Sequence, residues 1–567
     1  MYHGVQRLNA LSANVPQQLC SSSLLKRHIK RHSWPSYSQR TMASSSPAKA
    51  GLKKRAVAGS FLFKIPHGDE KQAKVALFRR SGGVSTYQHK LAPVSGSIEA
   101  TDPTPMATAL REIQEETTLT PSSLELLRVG KPYSFVDDSI GREWTINPFA
   151  FRLKDTTEGG KGEAGIKLDW EHEGIEWFDP LDVKDSDDFG GVPKLVNSLR
   201  RVWPEYDLGP RAGKVLTDGL QQLRSDHESG ARQLATMSLS ILKGVIAELG
   251  HTSPLDESWW SKIRMVAWHL CKVRESMGAA ITTAIVKALD QIEAIYLSPD
   301  MTPAEKVRQM VEGLDAQLEK RKYATDRISN SFVSYLRQSV LKDTGSKKEV
   351  TMLTLSSSST ILHSLIQAVS SLEVTLNLHV LESRPLYEGI TLASKLLKGI
   401  GQGGKMNITL YSDASVALAA RNTDVLLLGA DRVSSAGDVS NKIGSLPAVL
   451  SARYVAPNSK VVILSETEKI ASPGSMDEHE AEENDPTELT RDWQEKVKGV
   501  DVIDNALRSA RYGPEPREVM VKNVYFEWVP SDLINAYATE EGIWTVEDIG
   551  KRSLWIAKEM ERFFKDL

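Results

Sequence analysis

Cysteine is scarce in this chain of 567 residues, which contains only Cys20 and Cys271. Two cysteines cannot build a disulfide framework or a zinc site ligated by cysteines, so we expect a protein of a reducing compartment. Long apolar runs are also missing. No run reaches the roughly 18 residues that a membrane-spanning helix needs, and we therefore expect no membrane span.

Acidic residues are absent from residues 1–68, whereas residues 1–55 carry ten Lys and Arg. The net charge of the chain is −3, so residues 56–567 carry about −13 (−3 minus +10). A negative body argues against direct nucleic-acid binding. The basic, Ser-rich leader leaves two alternatives, a mitochondrial transit peptide and a disordered tail. We expect a cytoplasmic protein, with a mitochondrial location as the alternative.

The length is too great for one hydrophobic core and indicates several domains. Short strands such as KVALFRR surround one helix near the N-terminus, long amphipathic helices follow, and apolar runs then alternate with helices as in βαβ units. The acidic segment 475–492 is expected to be a solvated loop. We predict an α/β multidomain chain with a leader (1–55), an α+β domain (56–205), a linker (206–228), a helical subdomain (229–345) and a Rossmann-like parallel-sheet subdomain (346–567).

Three glutamates share one face of the predicted N-terminal helix. Glu112, Glu115 and Glu116 stand at positions i, i+3 and i+4 of the segment TPMATALREIQEETTL, for which Thr104 is the predicted N-cap. Such like charges repel one another unless a cation is present, and oxygen ligands suit Mg²⁺ or Mn²⁺. The metal would polarise a phosphoanhydride and activate water. A solvated acidic helix face is the alternative interpretation.

With the preceding Ser-Gly-Ser-Ile-Glu at 95–99, the run Arg111 to Glu116 resembles the Nudix hydrolase signature, Gly-x5-Glu-x7-Arg-Glu-U-x-Glu-Glu-x-Gly-U, where U is aliphatic. The resemblance extends over about 57–205. It implies a Nudix fold and Mg²⁺-dependent (or Mn²⁺-dependent) pyrophosphohydrolase activity on a nucleoside diphosphate derivative.

The resemblance also assigns roles to residues. Gly96 begins the signature loop, Arg111 orients a glutamate, and the catalytic metal ligands are Glu112, Glu115 and Glu116. Two positions depart from the pattern: Asp102 replaces the first glutamate, with one extra residue before Arg111, and Thr118 replaces the late glycine.

Polar residues follow the ends of several predicted parallel strands. Asp431 follows DVLLLGA, and Asn441 and Lys442 stand in the loop or first helical turn beyond it. Ser356 follows VTMLTL, and Arg384 follows VTLNLHVL. Because ligands bind beyond the carboxyl ends of strands in open parallel sheets, we expect these side chains to meet. A cation, an amide and a carboxylate together suit a phosphorylated polyol.

The segments ESRPLYEG, LYSDAS, GADRVSSAGDVSNKIGS and VPSDLINAYATEEG resemble one further family. It joins the α, β and δ subunits of translation initiation factor 2B with methylthioribose-1-phosphate isomerase and ribose-1,5-bisphosphate isomerase. The match covers about 225–550 and implies a helical subdomain, a Rossmann-like subdomain and a phosphorylated sugar or nucleotide ligand. It also implies a homodimer formed through the C-terminal domain, or association with initiation factor 2B-type subunits. A Nudix domain in the same chain resembles a fungal fusion type.

Carried over by position, the isomerases' catalytic aspartate is Asp431 and their Asn-Lys pair is Asn441 and Lys442. Their substrate-contacting arginines are Arg274 and Arg384. Gly278, which lies with Arg274 in the segment RESMGAA before a predicted helix, completes the substrate-binding set.

One departure in this family concerns the catalytic cysteine, whose position is occupied by Ser356, while Leu355 replaces the neighbouring histidine. Aldose–ketose isomerisation needs an acid–base group matched to the working pH. A thiol can be tuned into that range, but an alcohol is a far weaker acid. We therefore expect poor turnover unless Asp431 acts with another group.

Hypotheses of two kinds follow. The first is an enzyme, a Nudix hydrolase joined to a sugar-phosphate isomerase-like domain, of which an active methylthioribose-1-phosphate isomerase of methionine salvage is one form. The second is a non-catalytic regulatory or assembly protein of the initiation factor 2B type. We favour a combination, in which a hydrolase domain is joined to a domain that binds ribose phosphates.

Overall fold

The computed structural model describes residues 52–65, 72–226, 229–274, 278–342, 348–401, 404–474, 484–503, 505–506 and 520–567. The predicted leader therefore lies almost entirely outside the described residues. In the described ranges, no helix combines the length and the apolar composition that crossing a membrane requires.

An eight-stranded mixed sheet forms the N-terminal domain. Its order is β3-β2-β1-β7-β5. In addition, β4 pairs with β1, β6 with β7 and β8 with β2. Among the described strands of this sheet, only β1 and β7 pair in parallel. Apolar clusters pack on both faces of the sheet. The elements are β1 (Lys53–Lys64), β2 (Lys74–Arg80), β3 (Leu91–Ala92), β4 (Val94–Ser97), α1 (Pro105–Thr117), β5 (Leu124–Val129), β6 (Tyr133–Asp137), β7 (Arg142–Leu153), β8 (His172–Phe178) and α2 (Leu195–Val202).

Helix α1 begins and ends with defined caps. Thr104 Oγ1 accepts a hydrogen bond from the Ala107 N–H at 3.1 Å, and Pro105 occupies the first turn, as predicted. The helix ends at Thr118, whose φ of 61° lies in the left-handed region that glycine adopts most easily. The signature's glycine therefore corresponds to a helix C-cap, which threonine fills here.

Six helices follow. The first five enclose one large apolar core together with Phe563 and Phe564 near the C-terminus, and the sixth packs into the core of the C-terminal sheet. Most of the predicted linker is helical, because residues 206–225 belong to a helix whose apolar face packs into the large core. The helix is bent at Gly209, where φ is 72°, immediately before Pro210. The helices are α3 (Glu205–Ser225), α4 (Ala231–Thr252), α5 (Glu257–Lys272), α6 (Gly278–Tyr296), α7 (Pro303–Lys322) and α8 (Ala324–Tyr335).

Buried polar contacts join the N-terminal sheet to the helices. The Arg128 guanidinium, on β5, donates to Glu205 Oε1 and Oε2 at 2.5 and 2.8 Å and to Thr217 Oγ1 at 3.1 Å. The side chain of Arg128 is only 4% exposed. On α5, the Trp268 indole donates to the Val129 carbonyl at 3.3 Å. These contacts tie the two layers together within one compact unit, Lys53–Leu567.

A seven-stranded sheet of order β11-β10-β9-β12-β15-β17-β18 forms the centre of the C-terminal part, and its neighbours are parallel except for β17 and β18. This confirms the predicted Rossmann-like parallel sheet and the α/β class. The strands are β9 (Glu349–Thr354), β10 (Thr375–Leu381), β11 (Met406–Tyr411), β12 (Val425–Gly429), β15 (Lys460–Leu464), β17 (Ala536–Thr539) and β18 (Gly542–Trp544).

A small antiparallel sheet lies beyond β12 and contains β13, β14 and β16 in that order. Its strands are β13 (Arg432–Val433), β14 (Val439–Lys442) and β16 (Phe526–Val529). The helices of the C-terminal part are α9 (Ser359–Ser371), α10 (Glu388–Gly399), α11 (Val416–Ala419), α12 (Ser445–Val455), α13 (Thr487–Lys496) and α14 (Val546–Phe564). The acidic segment predicted as a loop is helical from Thr487, while residues 475–483 lie outside the described ranges.

Candidate functional sites

Arg111 is the centre of the charged network on α1. Its guanidinium donates to Asp102 through Nε (3.2 Å) and Nη2 (2.9 Å), and Nη2 also donates to the Ser97 carbonyl at 3.2 Å. Nη1 lies 2.7 Å from Glu112 Oε1 and 3.1 Å from Glu115 Oε2. This contact with Arg111 holds the pKa of Asp102 well below its usual range. Asp102, which replaces the signature glutamate, therefore anchors the arginine that orients two predicted metal ligands.

Glu112 is packed against the loop before α1. A Cβ built on Gly96 would lie 1.8 Å from the Glu112 carboxyl carbon, so only glycine leaves room for this carboxylate. Burial raises the pKa of Glu112 to about 7, although the neighbouring Arg111 opposes the shift. Gly96 thus leaves space in the loop for the Glu112 carboxylate.

Glu116 faces a different partner from Glu112 and Glu115. Its Oε2 lies 2.5 Å from His172 Nε2 on β8, and the two side chains are 4% and 1% exposed. Burial raises the pKa of Glu116. The structure therefore brings Glu112 and Glu115 together beside Arg111, whereas Glu116 is turned towards His172. A metal-binding role for Glu116 stays a prediction.

A cavity of about 530 Å³ opens beside the carboxylates of α1. Its walls carry the acidic side chains Glu99, Glu112, Glu115 and Glu171, together with Arg111. Aromatic and basic side chains also line the cavity, among them Arg55, Arg80, Tyr87, Tyr133, Phe135, Trp144 and Trp170. The cavity can thus hold an anionic ligand that also carries a planar or apolar group.

The donor set of this cavity fits a divalent cation in kind, because carboxylate oxygens are the ligands of Mg²⁺ and Mn²⁺ and Gly96 makes room for one of them. In the described part of the chain, however, no group of three or more His, Cys, Asp or Glu is arranged to hold a metal ion. Arg111 neutralises Glu112 and Glu115 instead. A cation would therefore compete with Arg111 for these two carboxylates.

The second predicted site lies where the strand order of the C-terminal sheet reverses. In the sheet, β10 and β11 follow β9 on one side, and β15 and β17 follow β12 on the other side. The strand order therefore reverses between β9 and β12, which is the switch point. Ser356 follows β9, Asp431 follows β12 and Arg384 follows β10, which neighbours β9. Open α/β sheets bind ligands at such a point, and three of the predicted residues lie there.

Glu388, the first residue of α10, links two of the predicted residues. Its Oε2 accepts a hydrogen bond from Ser356 Oγ at 3.3 Å, and its Oε1 lies 3.5 Å from Lys442 Nζ. The Lys442 ammonium also lies 5.0 and 4.7 Å from the ring centroids of Tyr525 and Phe526. Ser356 has a φ of 69°, and its N–H donates to Ser383 Oγ at 2.8 Å. The hydroxyl, the carboxylate and the ammonium thus form one cluster.

Asp431 belongs to the same charged cluster. Burial raises the pKa of Asp431. The ammonium groups of Lys469 and Lys442 oppose this upward shift, and the Glu388 carboxylate adds to it. Lys469 Nζ donates to the Ala430 carbonyl at 2.7 Å and lies 3.3 Å from Glu466 Oε2. Burial works against the charge of Lys469, but Glu466 and Asp431 outweigh it and raise the pKa of this ammonium. A proton is therefore held more firmly on Asp431 than on an ordinary carboxylate.

Arg384 is held by carboxylates rather than left open to an anion. The backbone N–H of Arg384 donates to Asp413 Oδ2 at 2.8 Å. The guanidinium Nη2 lies 2.9 Å from Asp492 Oδ2 on α13. The Tyr387 hydroxyl donates to the same Asp492 carboxylate. A ligand phosphate at Arg384 would have to compete with Asp492.

The remaining predicted residues have structural partners. The sequence predicts Asn441 and Lys442 in a loop or a helical turn, but both lie in strand β14, because the segment pairs with β16. Asn441 is buried and its Nδ2 donates to Ser445 Oγ at 2.9 Å. Arg274 donates to the Asp226 carbonyl near the end of α3. Gly278 begins α6. Substrate contact by Arg274 and Gly278 stays a prediction.

Four residues of these sites are absent from the predicted set: Glu171, Glu388, Lys469 and Asp492. Lys469 follows β15, so the strand-end rule applied to KVVILSETEK would have found it. Glu388 lies four residues beyond Arg384 in the same segment, ESRPLYEG. Nothing comparable marks Glu171 or Asp492, since both lie in acidic segments typical of solvated surface.

Residues 227–546 match the model of the Initiation factor 2 subunit family, and residues 65–198 match that of the NUDIX domain. The first match covers more than half of the chain, so the chain belongs to the Initiation factor 2 subunit family. It combines that domain with an N-terminal NUDIX domain, which confirms both resemblances drawn from the sequence.

The chain is similar to methylthioribose-1-phosphate isomerases. It is 31% identical to that of Bacillus licheniformis over 176 residues, which are 30% of this chain and 43% of the relative. It is 32% identical to that of Yarrowia lipolytica over 183 residues, which are 32% of this chain and 45% of the relative. The match thus spans less than half the length of these relatives. The solved structure of Pyrococcus horikoshii translation initiation factor eIF-2B is 19% identical, with coverage of 59% of this chain and 98% of that one and a TM-score of 0.39.

Proposed function

We propose that the NUDIX domain hydrolyses the phosphoanhydride of a nucleoside diphosphate derivative and that its cofactor is Mg²⁺. The carboxylates of Glu112 and Glu115, which line one cavity beside Arg111, carry the proposal. Bound there, the cation would polarise the phosphoanhydride and lower the pKa of a water molecule. Glu112 and Glu115 would hold the cation, and Asp102 would fix Arg111 at their side. Glu171 on the cavity wall would accept a proton from water.

A release assay on the full chain tests this proposal. Nucleoside diphosphate sugars, dinucleoside polyphosphates and nucleoside triphosphates would be incubated with Mg²⁺, with Mn²⁺ or with a chelator. We expect cation-dependent hydrolysis of at least one class, with Mg²⁺ sufficient. Equal rates with the cation and with the chelator would contradict the hydrolase assignment, and activity with Mn²⁺ alone would contradict the choice of metal.

For the C-terminal domain, we propose binding of a phosphorylated ribose at the switch point of the parallel sheet. The meeting of Ser356, Glu388 and Lys442 beside Asp431 supports this proposal. Lys442 offers a compact cation for a phosphate, and the two carboxylates offer acceptors for sugar hydroxyls. The similar isomerases act on methylthioribose 1-phosphate, which makes this compound and its ribose analogues the ligands to try first.

We predict that ribose phosphates raise the melting temperature of the wild type and that Lys442→Ala removes the effect. A ligand at a hundred times its Kd stabilises the folded state by about 2.7 kcal/mol. The loss of the ammonium leaves a phosphate without its cation. Lys551→Ala is the control, because this lysine forms an exposed ion pair with Glu547 on α14. A response retained by Lys442→Ala would contradict the placement of the phosphate.

An assembly role is the second candidate, and an exposed apolar patch favours it. Leu418 on α11 and Leu450 and Tyr454 on the adjacent α12 are 53%, 52% and 89% exposed. Apolar side chains clustered on neighbouring helices are typical of interaction surfaces. We propose that this patch pairs with a second copy of the chain, the alternative being another initiation factor 2B-type subunit.

We predict that the double variant Leu450→Asp, Tyr454→Asp is monomeric while the wild type is dimeric, because charges on both faces of a symmetric contact repel each other. Light scattering after size exclusion measures the mass. Leu297→Asp, at a leucine 66% exposed near the end of α6, is the control. A monomeric wild type at micromolar concentration, or a dimeric double variant, would contradict the proposed contact.

A further inference from the structure

Glu388 lies beside Ser356, which stands at the position of the isomerases' catalytic cysteine. A hydroxyl therefore occupies the place of the thiol that serves as acid–base group, and Glu388 is the carboxylate next to it. Its carboxylate spans Ser356 Oγ at 3.3 Å and Lys442 Nζ at 3.5 Å. The side chain is 26% exposed, so it is partly buried yet open to the side where Lys442, 21% exposed, can meet a ligand. Asp431 lies close enough to feel the charge of the Glu388 carboxylate, as well as that of Glu466.

Ser356 cannot perform general acid–base catalysis efficiently by itself. An alcohol at this position binds its proton far too tightly to exchange it near neutral pH, whereas catalytic groups work best with a pKa near the working pH. The Ser356 hydroxyl donates its hydrogen to Glu388 rather than to an open position. The neighbouring carboxylate is therefore the group through which a proton can enter or leave.

We propose that Glu388 acts with Asp431 as the acid–base pair of an aldose–ketose isomerisation of a ribose 1-phosphate derivative. This inference rests on the proposed binding of a phosphorylated ribose at the same site. Ser356 would then hold Glu388 in place as a positioning residue, and Lys442, whose Nζ lies 3.5 Å from Glu388 Oε1, would hold the other oxygen of the carboxylate.

The reaction balances without an external oxidant. Asp431 gives a proton to the ring oxygen as the bond between that oxygen and C1 breaks. Hydrogen moves with its electron pair from C2 to C1, and Glu388 takes the proton of the C2 hydroxyl as the ketone forms. C2 is oxidised, C1 is reduced, and the phosphate stays on C1. One proton is given and one is taken, so proton exchange through solvent restores both carboxyl groups.

The arrangement of charges around the pair supports these roles. Burial raises the pKa of Asp431, which favours a proton on the group that must donate one. Glu388 faces Lys442, and Asp431 faces both Lys442 and Lys469. Glu466, next to Lys469, is the further carboxylate of this edge. The two members of the pair are thus held in different charge environments, as acid and base require.

Three variants of the full chain test the assignment with methylthioribose 1-phosphate, through the rate of ketose formation at saturating substrate and through Kd from calorimetry. We expect Glu388→Gln to lower the rate by about 100-fold or more while Kd changes by less than about tenfold. Glu388→Asp is expected to recover part of the rate, and Ser356→Ala to lose less than about tenfold. Glu547→Gln, at an exposed glutamate paired with Lys551 on α14, is the control.

A rate for Glu388→Gln within about tenfold of the wild type would overturn the assignment, and so would an equal loss in Ser356→Ala. Should Glu388→Gln fail to melt cooperatively, the comparison passes to Glu388→Asp, and an unchanged rate in that variant overturns the assignment as well. If the wild type binds the compound without converting it, the isomerisation is overturned while the proposed binding of a phosphorylated ribose stands. A wild type that does not bind it overturns the proposed function first.

Discussion

Glu115→Gln is expected to lower cation-dependent hydrolysis by about 100-fold or more, and Glu112→Gln is expected to do the same. Each substitution keeps the shape of the side chain but removes a negative charge from the cavity. The cation would then lose a charged ligand, and Arg111, which lies 2.7 Å from Glu112 and 3.1 Å from Glu115, would lose a partner. The measurement is kcat/KM for the best substrate of the release assay.

Glu143→Gln is the matched control for these variants, because Glu143 forms an ion pair with Lys54 on the surface, 3.1 Å away. Its rate should equal that of the wild type. Undiminished hydrolysis in both Glu112→Gln and Glu115→Gln would show that the cavity beside α1 is not the hydrolytic site. A loss that saturating Mg²⁺ restores would instead be consistent with a weakened cation site, as we propose.

Arg128→Ala is expected to destabilise the chain by about 3–5 kcal/mol. The guanidinium is 4% exposed, and its removal leaves the Glu205 carboxylate, 15% exposed, without its cation. Thr217 loses a donor in the same step. Because these groups join the N-terminal sheet to α3, we expect the two layers to separate before the rest of the chain unfolds. Chemical denaturation followed by tryptophan fluorescence measures the loss.

Arg308→Ala is the control for Arg128→Ala, since Arg308 pairs with Glu312 on the surface of α7 and both side chains are more than half exposed. Exposed pairs of this kind contribute about 0–1 kcal/mol, so the control should remain close to the wild type. A loss below about 1 kcal/mol for Arg128→Ala would show that the contact between sheet and helices does not depend on this buried pair.

Local patterns were sufficient to predict most of the fold. Runs such as KVALFRR and DVLLLGA became β2 and β12, and the cap at Thr104 marks the start of α1. These features depend on periodicity and on caps, both of which are properties of short segments. The helix within the predicted linker is not marked in this way, because the apolar face of α3 is buried by other helices. That information is absent from the segment itself.

The sites were predictable only where strand ends define them. Ser356, Arg384 and Asp431 follow neighbouring strands, and the parallel order of β10, β9 and β12 places them at one edge. The contact of Glu388 with Ser356 and Lys442 depends instead on how α10 packs over that edge. Likewise, helical spacing placed Glu112, Glu115 and Glu116 on one face, but His172, 56 residues beyond Glu116, decides where that carboxylate points.

The most direct test of two independent sites in one chain is a calorimetric titration of methylthioribose 1-phosphate into the wild type, Lys442→Ala and Glu115→Gln. We predict that the wild type and Glu115→Gln bind the compound with the same Kd and that Lys442→Ala does not bind it. Binding to Lys442→Ala with the wild-type Kd, or loss of binding in Glu115→Gln, would contradict the placement of the ribose phosphate at the switch point of the C-terminal sheet.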